Sequence, residues 1–421
     1  MKNRKRSFIS LLLVGMLLSA CSGQGQPEST ETQTDSISTE TVETVETSLL
    51  DAAELPEMDY GGRVYNVITS KPANDEHGFG NYEVTVTGET GDVLNDAVFH
   101  RNAAIEEALN VSIKETVVNE EKTTQFLTNA VMADERLYDL TFARTYEIGA
   151  LACNHMLADM QSLPHINFDR DWWSRSLIDS AEIYGKVFFA SSDFDLHAKG
   201  RTYMQIYNCE LAEDLGIGNI ASLVKDGTWT IDKQIEYALL SASDLNGDGK
   251  MDENDRYGYI TGDYKDLFYF NIAAGNRVAD KNENGEIELT MNNERTITLV
   301  DKYLALLDRN VSVNPNDFAG KLSDFDPETY AIFYNGNSLF MTATVRGAKT
   351  ASEKADFDYK MLPMPKIDEA QEKYYTMSDN IGLLFAVPVN APDPNFAGYM
   401  LEALSCLSHT TTLPAFYEVS C

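Results

Sequence analysis

The stretch Asp244-Leu245-Asn246-Gly247-Asp248-Gly249-Lys250-Met251-Asp252-Glu253-Asn254-Asp255 sets oxygen atoms at the spacing a calcium ion requires. Calcium loops draw side-chain oxygens from roughly positions 1, 3, 5, 9 and 12, a backbone carbonyl from position 7, and their sharp turn from a glycine at position 6. Here those places fall on Asp244, Asn246, Asp248, Asp252 and Asp255, with the carbonyl from Lys250 and the turn at Gly249. The last ligand is Asp where an EF-hand has Glu, so its reach is shorter and the loop looks like the dockerin variant. The expectation is a structural Ca²⁺. A partial echo at Asp280-Lys281-Asn282-Glu283-Asn284-Gly285 has Met291 at the closing position and reads as a turn.

A second kind of chemistry is offered by Trp172-Trp173, a pair of indoles in a polar, acidic context. Flat apolar faces suit the C–H face of a sugar ring, while neighbouring carboxylates and amides take its hydroxyls. Adjacent side chains point in different directions, so one indole is expected to pack and one to face ligand. Trp229 follows a glycine turn and reads as core. Arg144, Asp193, Tyr203 and Asn276, at the ends of predicted elements, are the further candidates for ligand contact. Motifs for catalysis are missing: there is no phosphate loop, no H-E-x-x-H, no G-x-S-x-G, and no zinc-spaced pair among the six histidines. Gly78-Phe79-Gly80 lacks the third glycine of a dinucleotide loop. No carboxylate pair is marked out for glycoside hydrolysis among 66 acids.

The elements that must position these residues alternate. Arg63–Thr69 reads as a strand, Val93–Asn110 as a helix, and Val111–Val117 as a strand. Thr123–Ala133 follows as a helix and Tyr138–Phe142 as a buried strand. That order implies parallel pairing, with ligand outside the carboxyl ends of the strands near Arg144, Thr145 and Tyr146. Tyr184–Ser192 is predicted as a strand entered through Gly185. A second α/β section has a strand near Met204–Tyr207, a helix at Glu210–Leu215, and a helix at Lys233–Leu240 capped by Thr230 or Asp232. A hairpin about Asn284-Gly285, a helix at Thr296–Leu307 and strands at Ser338–Thr342 and Ile381–Pro388 follow, with Asn395–Leu407 the last clear helix.

The chain of 421 residues is long enough for two or three cored domains. Its N-terminus has a basic patch, a short apolar run from Phe8 to Leu18, and then Leu18-Ser19-Ala20-Cys21. These are marks of a secretory signal, and the run is shorter than the ~20 residues a bilayer span needs. Cysteine directly after Leu-Ser-Ala resembles the lipobox of bacterial lipoproteins, in which it is acylated. Residues 22–54 are rich in Ser, Thr, Glu and Gln, a composition that cannot offset its own ordering entropy. The formal charge is −33, and loss of residues 1–20, with four basic residues and no acid, takes it to −37. Nucleic acid and anionic lipid are therefore disfavoured as partners. The remaining cysteines, Cys153, Cys209, Cys406 and Cys421, form no C-x-x-C and leave both one disulfide and four thiols open.

Several short stretches, in order, are similar to the sugar-binding family 1 of extracellular solute-binding lipoproteins of ABC importers. They are Leu94-Asn95-Asp96-Ala97-Val98 with Arg101-Asn102; Asp171-Trp172-Trp173 before Gly185-Lys186-Val187-Phe188-Phe189-Ala190; and Tyr207-Asn208 with Leu215-Gly216. Leu223 to Thr230 with the calcium-like loop, and Leu362-Pro363-Met364-Pro365-Lys366 before Asp368-Glu369-Ala370-Gln371, complete the set. The resemblance implies an α/β, two-lobed periplasmic-binding-protein type II-like fold with a hinge. It divides the chain into a lipoprotein signal at 1–20, a spacer at 21–54 after lipidated Cys21, and a mainly N-terminal lobe at 55–206. A mainly C-terminal lobe follows at 207–380, then a return crossing and the start of a C-terminal helical segment at 381–421. Members continue past the segment resembling Pro414 to Val419, so the chain is expected to be truncated. The implied activity is capture of a carbohydrate by a monomer tethered to the outer face of the cytoplasmic membrane, and its delivery to permease subunits. A glycan sensor uncoupled from import and a secreted glycoside hydrolase are the competing readings.

Overall fold

A computed structural model describes residues 50–71, 84–119, 122–262, 264–318, 331–379 and 382–420. Cys21, the signal and most of the spacer lie outside the described residues. The first sheet is built from β1 (Arg63–Lys71), β2 (Val111–Asn119) and β3 (Leu140–Arg144). Between them run α1 (Val93–Leu109) and α2 (Thr123–Met132), and β3 leads directly into α3 (Thr145–Cys153). β1 pairs in parallel with both β2 and β3, as the alternation implied. α1 begins where Asp92 accepts the Asn95 amide at 2.8 Å and ends at Asn110 in the left-handed region. The loop from 154 carries α4 (Arg175–Ala181), and α5 (Leu196–Gly200) leads out of the lobe.

The second sheet has order β10-β4-β9-β5-β8. The chain runs through β4 (Tyr203–Asn208), α6 (Cys209–Asp214), α7 (Ala221–Lys225), α8 (Ile231–Ser241), β5 (Tyr257–Ile260) and α9 (Tyr264–Ala273). A hairpin of β6 (Ala279–Lys281) and β7 (Ile287–Leu289) follows, about the predicted Asn284-Gly285 turn. Then come α10 (Glu294–Leu306), β8 (Ser312–Val313), α11 (Ala331–Tyr334), β9 (Ser338–Thr344), α12 (Val345–Lys354) and β10 (Tyr359–Leu362). Of the two candidate caps of α8, the structure uses Thr230, whose hydroxyl accepts the Lys233 amide at 3.4 Å. α8 lies so close to β5 that a Cβ on Gly258 would stand 2.1 Å from the Ala238 carbonyl, so only glycine fits there. One core cluster of the lobe gathers Trp229, Tyr259, Phe270, Tyr303 and Phe340, and another Ile206, Tyr257, Phe333 and Met341.

The chain returns through β11 (Leu383–Ala386), which pairs antiparallel with β3. α13 (Pro394–Thr410) then packs into the first core, with every residue from Phe396 to Ser408 buried. α14 (Thr412–Ser420) brings Ala415 and Phe416 against Leu94 of α1, Leu196 of α5 and Val345 of α12, so it touches both lobes.

Four expectations are corrected. Residues 184–192 are not a strand: Tyr184 and Gly185 form a left-handed turn (φ 49° and 75°) closed by an Ile183–Lys186 bridge. Beyond it only single bridges reach Phe385 and Trp173, so no continuous partner is available. β4 belongs wholly to the second sheet, which moves the lobe boundary from 206 to just before Tyr203. Packed chain begins by residue 50, because Leu50 and Leu55 pack on the first core and Ala53 is buried. Finally, α14 adds a helix beyond Leu407. Cys153, Cys209 and Cys406 are free thiols.

Candidate ligand cleft at the interlobe crossing

Two connections between the lobes lie side by side. Thr202 and Ser378 form an antiparallel bridge, Tyr203 donates its amide to Met377 O at 2.9 Å, and Asp379 donates its amide to Arg201 O at 3.0 Å. The Ser378 hydroxyl adds a bond of 2.7 Å to Ala198 O. Contact is tight enough that a Cβ on Gly382 would sit 2.9 Å from Asp379 O. The first sheet abuts this pair through Thr145, whose amide and hydroxyl both donate to Gly382 O, at 3.1 and 3.0 Å. Parallel β–α units open ligand clefts at strand carboxyl ends. At this crossing those ends are Arg144 of β3, Thr344 of β9 and, one strand over, Ile260 of β5.

Side chains at the crossing are aromatic and charged. Tyr203 stacks on Tyr269 of α9 with ring centroids 3.6 Å apart, and its hydroxyl donates to Asp379 at 3.2 Å. Arg201 Nη1 lies 3.7 Å from the same carboxylate. Burial pushes the Tyr269 hydroxyl up to about 12 and that of Tyr203 further, with Tyr269 and Asp379 adding to the latter. His197 accepts the Leu383 amide on Nδ1 at 3.2 Å, which fixes its neutral tautomer with the proton on Nε2. Burial, then Arg201, Arg346 and Arg144, drive that imidazole down to about 3. Arg144 donates to the Tyr146 hydroxyl at 2.7 Å. Tyr264 and Phe268, on α9 directly after β5, are 73% and 52% exposed. At another interlobe contact, Lys281 of the hairpin donates to Asp179 O at 2.9 Å and lies 3.8 Å from Glu182 at the end of α4.

Of the predicted ligand contacts, the structure brings Arg144 and Tyr203 to this crossing. Trp172 and Trp173 are corrected: both are buried in the first core, and neither offers a face. Their indole N–H groups donate to the two oxygens of Glu402, each at 3.1 Å. Burial lifts that carboxyl to about 7 against the pull of the Asn167 amide and the two indoles. The pair looked polar because its partner lies 230 residues away on α13. Asp193 is enclosed by Lys199 at 2.9 Å and His409 at 2.6 Å. Asn276 is buried and bonds Asn271 and Thr296 at the far end of α9. Trp229 is core, as expected, with its indole on Pro363 O at 3.0 Å.

The loop at 244–255 has the donor chemistry of a calcium site but closes on its own amides. Asp244 accepts from Gly247 and Gly249, Asn246 from Asp248, Asp248 from Lys250, and Asp252 from Asn254. Asp255 is buried, with its two oxygens on the Leu245 and Asp252 amides. Among the described residues no three His, Cys, Asp or Glu side chains gather as metal ligands.

Sequence reading missed His197, Arg201, Tyr264, Phe268, Tyr269, Arg346, Asp379 and Glu402. The aromatic density of Tyr264-Lys265-Asp266-Leu267-Phe268-Tyr269-Phe270 was the available signal for three of them.

No family model matches the sequence, and neither does any curated protein. Solved structures do resemble it. UspC of M. tuberculosis is similar with a TM-score of 0.55 at 13% identity, over 84% of this chain and 83% of that one. The galacto-N-biose-/lacto-N-biose I-binding protein of a Bifidobacterium longum ABC transporter, in complex with lacto-N-biose, gives 0.54 at 15%, over 83% and 76%. The GacH receptor of Streptomyces glaucescens gives 0.50 at 13%, over 85% and 79%. The architecture is therefore the two-lobed fold of periplasmic binding proteins. The likeness is one of fold, and the B. longum neighbour is itself a binding protein of an ABC transporter.

Proposed function

We propose that this chain is the solute-binding component of an importer, capturing a carbohydrate between its lobes and passing it to a membrane permease. The observation that carries the reading is the crossing itself. Two paired connections join two α/β lobes where Arg144 and Tyr203, at strand ends, accompany Tyr264, Phe268 and Tyr269 of α9. Aromatic faces take sugar rings and charged or hydroxylated groups take the hydroxyls, and closure of the lobes over ligand shifts the population toward a form a permease recognises. The mechanism needs no bond to be made or broken. Acylation at Cys21 would tether the protein outside the membrane, and no described helix is long and apolar enough to cross it. The test is a thermal-shift screen with mono- and oligosaccharides: ligand at about 100 times Kd adds ~2.7 kcal/mol. A shift with one sugar class is expected, whereas shorter oligosaccharides appearing in the incubation would transfer the chain to the hydrolases. The loop at 244–255 carries a separate proposal, calcium bound after Asn246 and Asp248 turn their oxygens inward. Millimolar calcium should raise the melting temperature reversibly, and an unchanged melt discards the ion.

A further inference from the structure

Gln371 closes the stretch Asp368-Glu369-Ala370-Gln371, on the loop that runs from β10 to the second crossing, and its side chain is buried. Its carboxamide nitrogen donates to Ala273 O at the end of α9 and to Lys373 O, each at 2.7 Å. Its carboxamide oxygen accepts from Arg295 Nη2 of α10 at 2.9 Å and from the Ile367 amide at 3.3 Å. The backbone is held as well. The Gln371 amide donates to Asp368 at 2.9 Å, and Lys366 Nζ, on a buried side chain, donates to Gln371 O at 2.7 Å. Arg295 adds a bond of 2.6 Å from Nε to Ala274 O. Tyr375 lies so close to the next residue that a Cβ on Gly275 would stand 3.3 Å from its ring. The end of α9 is thereby fastened to this loop at Ala273, Ala274 and Gly275.

A carboxamide has two N–H donors and an oxygen with two lone pairs, and here all of them are used. Glutamate could not donate to the two carbonyls, lysine could not accept from the guanidinium, and asparagine is a methylene shorter. So complete a set of buried bonds fixes where the loop stands relative to α9. The loop then enters the second crossing, where the Thr376 hydroxyl donates to Tyr203 O and Met377 O accepts the Tyr203 amide at 2.9 Å. Tyr203 therefore takes its position from the loop. Tyr269 takes its own from α9, whose start is anchored where Asp266 accepts the Gly262 amide at 2.9 Å. The two rings stack at 3.6 Å only while loop and helix keep their register. Resting on the solute-capture reading, we infer that Gln371 is a positioning residue for ligand. Acting through α9 rather than by contact, it holds Tyr264, Phe268 and Tyr269 in register with Tyr203 at the interlobe crossing.

The experiment places a fluorotyrosine at residue 203 and reads its fluorine NMR signal, which the ring of Tyr269 displaces; Tyr269→Leu supplies the unstacked position of that signal. Gln371→Leu, of similar size but without polar groups, should move the signal toward the unstacked position. It should also weaken binding of maltotriose, cellobiose or galactose, measured by calorimetry, by about tenfold, the worth of one stacking face. Gln371→Glu keeps the bonds from Arg295 and Ile367 and loses those to Ala273 and Lys373, and should fall between the two. A Gln371 that only braces the fold would lower the melting temperature and leave signal and affinity in place, which overturns the inference. A signal that moves without loss of affinity overturns it as well, since the rings would then not meet ligand. Should Gln371→Leu fail to melt cooperatively, Arg295→Leu breaks the same tie from α10 and is held to the same two readouts. A natural protein that binds none of the three sugars overturns the solute-capture reading and this inference with it, an outcome told apart because no variant is involved.

Discussion

The two aromatic groups of this protein make opposite use of the same chemistry. Trp172 and Trp173 sit in the first lobe with a few per cent of their surface exposed, both indoles held by the one carboxylate of Glu402. Tyr264 and Phe268 stand half or more exposed on α9, with Tyr203 and Tyr269 stacked close to the hinge. The first group ties a loop to α13, whereas the second offers ring faces to whatever enters. An aromatic pair in a polar stretch of sequence is therefore not a ligand platform until the rest of the chain is shown not to claim it.

That contrast is broken most forcefully by removing both indoles. Trp→Ala in a core costs about 3–5 kcal/mol, and two such changes rival the 5–15 kcal/mol that holds a typical domain together. The double variant Trp172→Ala/Trp173→Ala should lose its cooperative melt. An unchanged melting temperature would return the pair to the surface. Glu402→Gln is the next largest. Its amide offers one acceptor oxygen where the Asn167 amide and both indoles donate, leaving one indole unsatisfied at about 1–3 kcal/mol. The same change carries a pH signature. With the native carboxyl at about 7 and the unfolded one near 4.5, the native state holds the extra proton between those values. Stability from this group is complete below pH 4.5 and lost as pH rises to 7, a change on the order of 3 kcal/mol. Urea titrations across that window should show the decline in the natural protein and a flatter profile in Glu402→Gln.

How far the sequence disclosed this arrangement follows from the range of the forces involved. β1, α1, β2, α2 and β3 were legible because periodicity and caps such as Asp92 act within a few residues. β5, only four residues and buried throughout, shows no alternation, so the aromatic run after it had no strand to hang on. The run 184–192 has strand composition but meets only single bridges, one of them to Phe385 of β11, and pairing across the chain is not written in a local run. Arg144 and Tyr203 were found because strand ends are a local property. His197, Arg346 and Asp379 were not, since their meeting depends on two crossings more than 170 residues apart.

A smaller effect on stability, but a larger one on binding, is expected from the second aromatic group. Tyr264→Ala and Phe268→Ala remove exposed rings, and such surface changes usually stay within about 0.5 kcal/mol. Each should leave the melt where it is while lowering sugar affinity by about tenfold, as loss of a stacking face at about 0.5–1.5 kcal/mol plus its buried area would do. A melt that falls as far as in the tryptophan variants would erase the distinction between the two groups.

The smallest effect sharpens the same distinction by asking what the rings act upon. Exposed faces hold ligand only when the lobes come together, and Lys281 is a direct bond between them, from the hairpin to Asp179 O and Glu182. Its side chain and that of Glu182 are each about a third exposed, so the ion pair belongs with surface pairs worth about 0–1 kcal/mol. Lys281→Ala should therefore weaken ligand binding by about fivefold at most, mainly through faster release, and leave the unliganded melt unchanged. Stopped-flow release rates at two salt concentrations would separate the ion pair, which salt screens, from the ammonium–carbonyl bond to Asp179 O, which salt weakens less. A loss well beyond that limit would mean that closure is held at the hairpin, and that the aromatic cleft only selects what the latch retains.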